Sequence, residues 1–301
     1  MTELMSLLGL MVTAGYLMRR TGLVRPELAS DLSKVVFYLT LPPLIFLALN
    51  KANLAWSMLM MPMVAWVYLL VGIAAGLLIT KLMRMPGPKA GALIIVTLCG
   101  NTTFFGYPIV QGFYGQSGLT LAIFYDLLGA SLVINTVLLL VASHLGGKKL
   151  VSGVDMLRQL VRLPPIWGLI LGILFTDVDL PTWLARVIES VGNLTTPLIM
   201  LSIGLSLRFS AWREDLCLVA IATVLRLAII PLFVWLVLTG LGFPEEMLRV
   251  AVLQAGMPTM FFSLTLALLF GLHKSLVVNA IMLSTLLSFA TLPLWRLLLG
   301  P

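Results

Sequence analysis

Charge is scarce in this chain: Asp, Glu, Lys and Arg supply 10% of its 301 residues, whereas 60% are hydrophobic. A soluble domain carries about 25% charged and roughly 45–50% apolar residues, so a water-soluble fold is excluded. Cysteine is nearly absent. Cys99 and Cys217 fall in or beside apolar stretches and offer neither a disulfide framework nor zinc-ligand spacing. The sequence also lacks a nucleophile with its base, a phosphate-binding glycine loop and any ligand cluster of metal-site spacing. An enzyme, a metal site and a cofactor are therefore not expected. The missing ATP-binding motif leaves an ion gradient or a partner to drive any uphill work.

What the chain has instead is hydrophobic length, with a mean hydropathy of +1.09. A bilayer-crossing helix needs about 20 mostly apolar residues. Ten such spans are read at roughly 3–20, 30–49, 57–80, 90–112, 117–145, 162–176, 182–207, 214–240, 247–271 and 275–299. The first span carries Glu3 and ends at Arg19-Arg20, without the basic leader and small-residue cleavage site of a signal peptide, and is expected to be retained.

The net charge of +7 is distributed as a topology signal, which argues against a nucleic-acid partner. Fourteen basic residues border the odd loops: Arg19, Arg20, Arg25, Lys34, Lys81, Arg84, Lys89, Lys148, Lys149, Arg158, Arg162, Arg208, Arg213 and Lys274. The even loops and the two ends hold only Lys51, Arg186, Arg249 and Arg296, together with Asp177, Asp179, Glu245 and Glu246. The positive-inside rule then makes the odd loops cytoplasmic and places both termini outside a cell (inner) membrane. An even number of spans is required for that arrangement.

Internal similarity divides the chain. Pro43-Leu44-Ile45-Phe46-Leu47 resembles Pro197-Leu198-Ile199-Met200-Leu201 at an offset of 154, and Gly100, Thr103, Phe105 and Gly115 align with Gly256, Thr259, Phe261 and Gly271 at an offset of 156. The expected units are a first five-helix repeat, 1–146, a cytoplasmic linker, 147–156, and a second repeat, 157–301. An odd span count per unit makes the second copy inverted, so the fold class is an all-α membrane protein of ten helices in two inverted repeats. Transporters of this build bind their substrate near the midplane, at Gly/Pro-broken helices in matching positions of the two halves. Spans 4 and 9 fit, with breaks at Gly100, Gly106 and Pro108 and at Gly256 and Pro258. Pro42-Pro43 and Pro197 are better read as structural kinks.

Ionisable groups at bilayer depth cost about 2.5–3.5 kcal/mol each on insertion scales. Asp126 and Arg226 lie near mid-depth in spans 5 and 8, either as an ion pair, or with Asp126 carrying a proton or helping to bind a cation, or with Arg226 attracting the substrate beside a protonated Asp126. Broken helices expose N–H ends that favour a carboxylate. Asn101, Thr102, Thr103 and Thr259 can donate to it, with Met257 and Pro258 beside them and Asn135 and Gln254 as second-line contacts. A small organic anion is the expected substrate.

Gly100-Asn101-Thr102-Thr103-Phe104-Phe105-Gly106-Tyr107-Pro108-Ile109, Ala255-Gly256-Met257-Pro258-Thr259 and Pro197 to Gly204 resemble the auxin efflux carrier family. The resemblance runs the whole length. It implies crossing broken helices 4 and 9, with Asn101 and Pro258 at the crossing. It further implies a scaffold of spans 1, 2, 6 and 7, an elevator-type mobile domain, and a homodimer formed through the scaffold. The long cytoplasmic loop of the plant carriers is replaced here by about ten residues, so regulation there is not expected. A sodium-coupled carrier of the bile-acid type is the competing reading, and neither break carries an acidic residue to favour it. A membrane receptor without flux is a third.

Overall fold

The computed structural model describes residues 2–25, 27–147, 161–207 and 215–300. These form eleven helices: α1 (Thr2–Arg20), α2 (Leu28–Asn50), α3 (Trp56–Leu82), α4 (Gly87–Leu98), α5 (Gly106–Leu145), α6 (Pro164–Leu174), α7 (Thr182–Ser206), α8 (Leu216–Gly240), α9 (Glu245–Ala255), α10 (Phe262–Phe270) and α11 (Lys274–Leu298). Six of them, α2, α3, α5, α7, α8 and α11, are long and apolar enough to cross a membrane. Among the described residues there is no strand, only an isolated antiparallel bridge between Gly100 and Thr259.

The helix boundaries follow local chemistry. Pro88 and Pro164 stand in the first turns of α4 and α6, where a missing N–H costs nothing. Glu245 and Glu246 open α9, and Arg19 and Arg20 close α1, each matching the sign of its helix end. In α2, Pro42-Pro43 withhold two donors, and the turn immediately before them, Val36–Thr40, widens to a π-helical turn. Thr195 Oγ1, just past the interruption of α7 at Leu194, donates to Thr40 Oγ1 at 2.9 Å and so joins the two kinks.

Expected spans 4 and 9 are each two helices separated by non-helical backbone: α4 and the start of α5, then α9 and α10. Between expected spans 4 and 5 the sequence suggests a short loop, yet α5 changes direction at a single residue. Gly115 has φ 66° and ψ −153°, and only glycine adopts that conformation without strain. Gly271, its partner by sequence offset, is also left-handed at φ 72°. Most of the expected linker, 148–156, lies outside the described residues, as do Arg158, Arg208 and Arg213.

Two packing groups are visible. Helices α1, α2, α6 and α7 pack on one another, and the remaining seven form the other group. Within the first group α1 and α7 approach backbone to backbone. A Cβ on Gly204 would lie 2.0 Å from the Val12 carbonyl and one on Gly15 would lie 2.3 Å from the Leu201 carbonyl, which explains the small residues. Arg19 Nη1 then caps the end of α7 by donating to the carbonyls of Leu205 and Leu207. Contact between the groups is thin, carried mainly by the Leu41–Asn50 part of α2 against α5 and by α1 against α11.

Candidate functional site

The two interrupted segments meet. The Asn101 amide donates to the Pro258 carbonyl at 2.8 Å, and the Met260 amide donates to the Cys99 carbonyl at 2.9 Å. Groups freed by one break are thus satisfied by the other, as an apolar surrounding demands. The contact is buried: Cys99, Asn101, Thr102, Met257 and Thr259 are all at or below 3% exposure.

Asn101 begins the return to helix. Its carbonyl accepts the amides of Phe105 and Gly106, and its Oδ1 accepts the Phe104 amide at 3.2 Å. The side chain thus closes the turn that leads into α5 and leaves the Nδ2 donors without a protein partner among the described residues. Pro108 sits in the first turn of α5, where its ring is tolerated, whereas Pro258 lies inside its break. The hydroxyls that the sequence offers to an anion are taken by protein acceptors. Thr102 Oγ1 and Thr103 Oγ1 donate to Asp126, and Thr259 Oγ1 donates to the Val96 carbonyl at 2.7 Å. Asn135 gives its amide to the Ser131 carbonyl within its own helix, and Gln254 reaches the Ala122 carbonyl at 3.4 Å while its Oε1 is buried against Gly106.

Asp126 and Arg226 do not form the ion pair that was one of the expectations for them. Asp126 Oδ1 accepts from Thr102 at 2.7 Å and Ser131 at 3.2 Å; Oδ2 accepts from Thr103 and from Tyr107 at 2.9 Å. Three of these four donors are in or just after the first break, so the carboxylate sits at the N-terminal end of α5, where negative charge is favoured. Arg226 faces the opposite ends. Its Nε donates to the Met257 carbonyl at 2.7 Å, and Nη1 donates to the carbonyls of Leu98 at 3.2 Å and Thr97 at 3.4 Å. Asp126 is thus held by hydroxyls and Arg226 by backbone carbonyls, rather than each by the other. Both residues occupy π-helical turns, Phe124–Ala130 and Leu225–Ile229, a local irregularity that recurs at functional positions.

The site includes residues that the sequence reading passed over. Tyr107 and Ser131 complete the Asp126 cage, and Ser284 Oγ accepts the Thr259 amide at 3.1 Å. The hydroxyl run Ser284, Thr285 and Ser288 inside an apolar helix is the signal that could have found the last. Beside the first break, in the seam between the packing groups, α1 and α11 line an open cavity of about 650 Å³ that includes Ser6, Gly9, Thr13, Tyr16 and Phe289. Phe289 stands edge-to-face with Phe105 of the break, centroids 5.5 Å apart, and Phe104 meets Phe37 of α2 in the same manner at 6.5 Å. The seam is therefore largely apolar and aromatic, with the hydroxyls of Ser6, Thr13 and Tyr16 in the cavity.

Comparison with known proteins places this architecture. The family model for membrane transport proteins matches residues 1–296. An uncharacterised transporter of Methanothermobacter thermautotrophicus is 32% identical over 295 residues, covering 96% of this chain and 95% of its own. One from Methanocaldococcus jannaschii is 29% identical over 300 residues, covering 95% and 94%, and one from Escherichia coli is 24% identical over 291 residues, covering 93% and 92%. The chain belongs to the membrane transport protein family, that of the auxin efflux carriers which its two interrupted segments resemble.

Proposed function

We propose that the protein is a secondary carrier that moves a small organic anion, a mono- or dicarboxylate, across the cell membrane. The observation that carries this reading is the contact of the two breaks beside a buried asparagine with uncommitted amide donors. A carboxylate docked there meets Asn101 Nδ2 and the N-terminal end of α10, while its apolar body lies in the aromatic seam. Thr102, Thr103, Met257, Pro258 and Thr259 shape the crossing, and Asn135 and Gln254 stand behind it.

Ten spans in two inverted repeats, 1–146 and 157–301, fit the helix pattern. The 40 residues of α5 would extend about 60 Å, twice a hydrocarbon core of about 30 Å, so the turn at Gly115 is what lets it serve two spans. The thin seam between the packing groups supports an elevator movement of α3–α5 and α8–α11 against a scaffold of α1, α2, α6 and α7. In this reading the scaffold also forms a homodimer, both termini lie outside, and the linker is cytoplasmic. Export of a monovalent anion from a negative-inside cell gains about 2.3 kcal/mol per 100 mV, roughly a fifty-fold gradient, with no coupling ion.

A second reading is favoured by Asp126, which has no cationic partner among the described residues: proton-coupled uptake, with the carboxylate as the proton site. Currents from proteoliposomes test both. Malonate and indole acetate are applied in turn without ion gradients to wild type and Asn101→Ala. Negative charge moving inward in wild type and its loss in the variant are the expected result. Current that requires a pH gradient selects proton coupling, and flux undiminished in Asn101→Ala contradicts the placement of the site.

A further inference from the structure

Broken helices that cross inside a membrane leave two carbonyl ends pointing at one place, and those ends need a cation. Each helix C-terminus is equivalent to about half a negative charge, so two of them ask for one positive charge. In this chain that charge is covalent. The Arg226 guanidinium, 0% exposed, bonds the carbonyls of Thr97 and Leu98 at the close of α4 and the carbonyl of Met257 just beyond α9. One side chain from α8 therefore ligates the C-terminal end of α4 and a backbone carbonyl of the second break, with the type of oxygen that a hard monovalent cation would use.

The fit is close on every side. A Cβ on Gly100 would lie 1.4 Å from Arg226 Nη2, so the backbone of the first break is pressed against the guanidinium, and only glycine leaves room for it. Nη2 has no hydrogen-bond partner among the described residues and is held there by Nε and Nη1. Asp126, the other buried charge, is spent on its four hydroxyl donors and adds no carboxylate that could attract a further ion to these carbonyls. The π-helical turn around Arg226 is anchored by Trp295 Nε1, which donates to the Leu227 carbonyl at 2.8 Å.

We infer that Arg226 is a built-in cation that occupies the place of a soluble metal ion at the crossing, so that neither the assembly of the site nor transport through it depends on sodium, potassium or lithium. This rests on the carrier reading for its consequence in transport, but its physical content, a resident charge on the carbonyls of both breaks, does not.

Thermal unfolding of the purified protein in detergent tests it without any substrate. For wild type, replacing choline chloride by sodium, potassium or lithium chloride should leave the midpoint unchanged within about 1 °C. Arg226→Ala opens a guanidinium-sized space lined by unpaired carbonyls. Its midpoint should fall, and about 20 mM methylguanidinium should raise it again by about 3 °C or more, where equal choline does not. Such rescue supports the assignment. A wild-type midpoint that rises with one metal cation overturns it, and so does a folded Arg226→Ala protein that is indifferent to methylguanidinium and to all three metal ions. If Arg226→Ala yields no folded protein, the wild-type salt series decides alone. Carboxylate currents in the same salts give the transport arm: currents that persist unchanged in choline are expected. A lack of any current, with methylguanidinium rescue intact, would count against the carrier reading and leave Arg226 as the resident cation.

Discussion

The two breaks are equivalent by sequence offset but are built differently, and the difference locates the chemistry. The first, between α4 and α5, carries Asn101-Thr102-Thr103 and presents its hydroxyls to a buried carboxylate. The second, between α9 and α10, carries Met257-Pro258-Thr259 and presents its backbone to a neutral serine, Ser284. Their glycines diverge as well. Gly100 is pressed against Arg226, whereas a Cβ on Gly256 would meet nothing closer than Pro231 at 3.4 Å. Both breaks take part in the crossing, and only the first donates hydroxyls to the buried Asp126 carboxylate.

The largest effect that separates the halves is expected from their glycines. Gly100→Ala must displace the guanidinium or the break itself, at a cost above about 3 kcal/mol, and should abolish folded yield on size-exclusion chromatography. Gly256→Ala should stay within about 1 kcal/mol and elute as wild type. Next comes the carboxylate: Asp126→Ala leaves four hydroxyls without their acceptor and should destabilise by about 1–3 kcal/mol or more, read as a lowered unfolding midpoint. Asp126→Asn keeps the acceptor on one oxygen and should recover part of that loss. It should also erase any pH dependence of flux if Asp126 carries the proton. Ser284→Ala removes one acceptor from the Thr259 amide and should cost about 1–2 kcal/mol without changing the charge moved per substrate. The smallest effect belongs to Asn135→Ala, whose amide bonds only its own helix, at less than about 1 kcal/mol in the same unfolding measurement.

Much of the frame was legible before any coordinates. Apolar length placed the helices, and Gly100 and Gly256 marked the interruptions because a broken helix at depth leaves a composition signature. What hydropathy could not reach was partnership. Asp126 and Arg226, two opposite charges in an apolar chain, invite pairing, yet the first is met by four hydroxyls and the second by backbone carbonyls that only the three-dimensional crossing brings together. Tyr107 looked like one more aromatic in a helix, since nothing in one dimension shows that its hydroxyl turns to a carboxylate 19 residues later. The turn at Gly115 was hidden for a similar reason: a single left-handed residue needs no loop composition to announce it.

The claim that an anion binds where the breaks meet is tested most directly by placing a charge on that spot. Asn101→Asp keeps the oxygen that accepts the Phe104 amide and replaces the uncommitted amide donors with a second carboxylate oxygen. With purified protein, the rise in unfolding midpoint evoked by a panel of carboxylates is compared between wild type and this variant. A rise in wild type that vanishes in Asn101→Asp, from a basal midpoint within a few degrees, is the predicted result. An equal rise in both proteins would contradict it and move the anion away from the crossing.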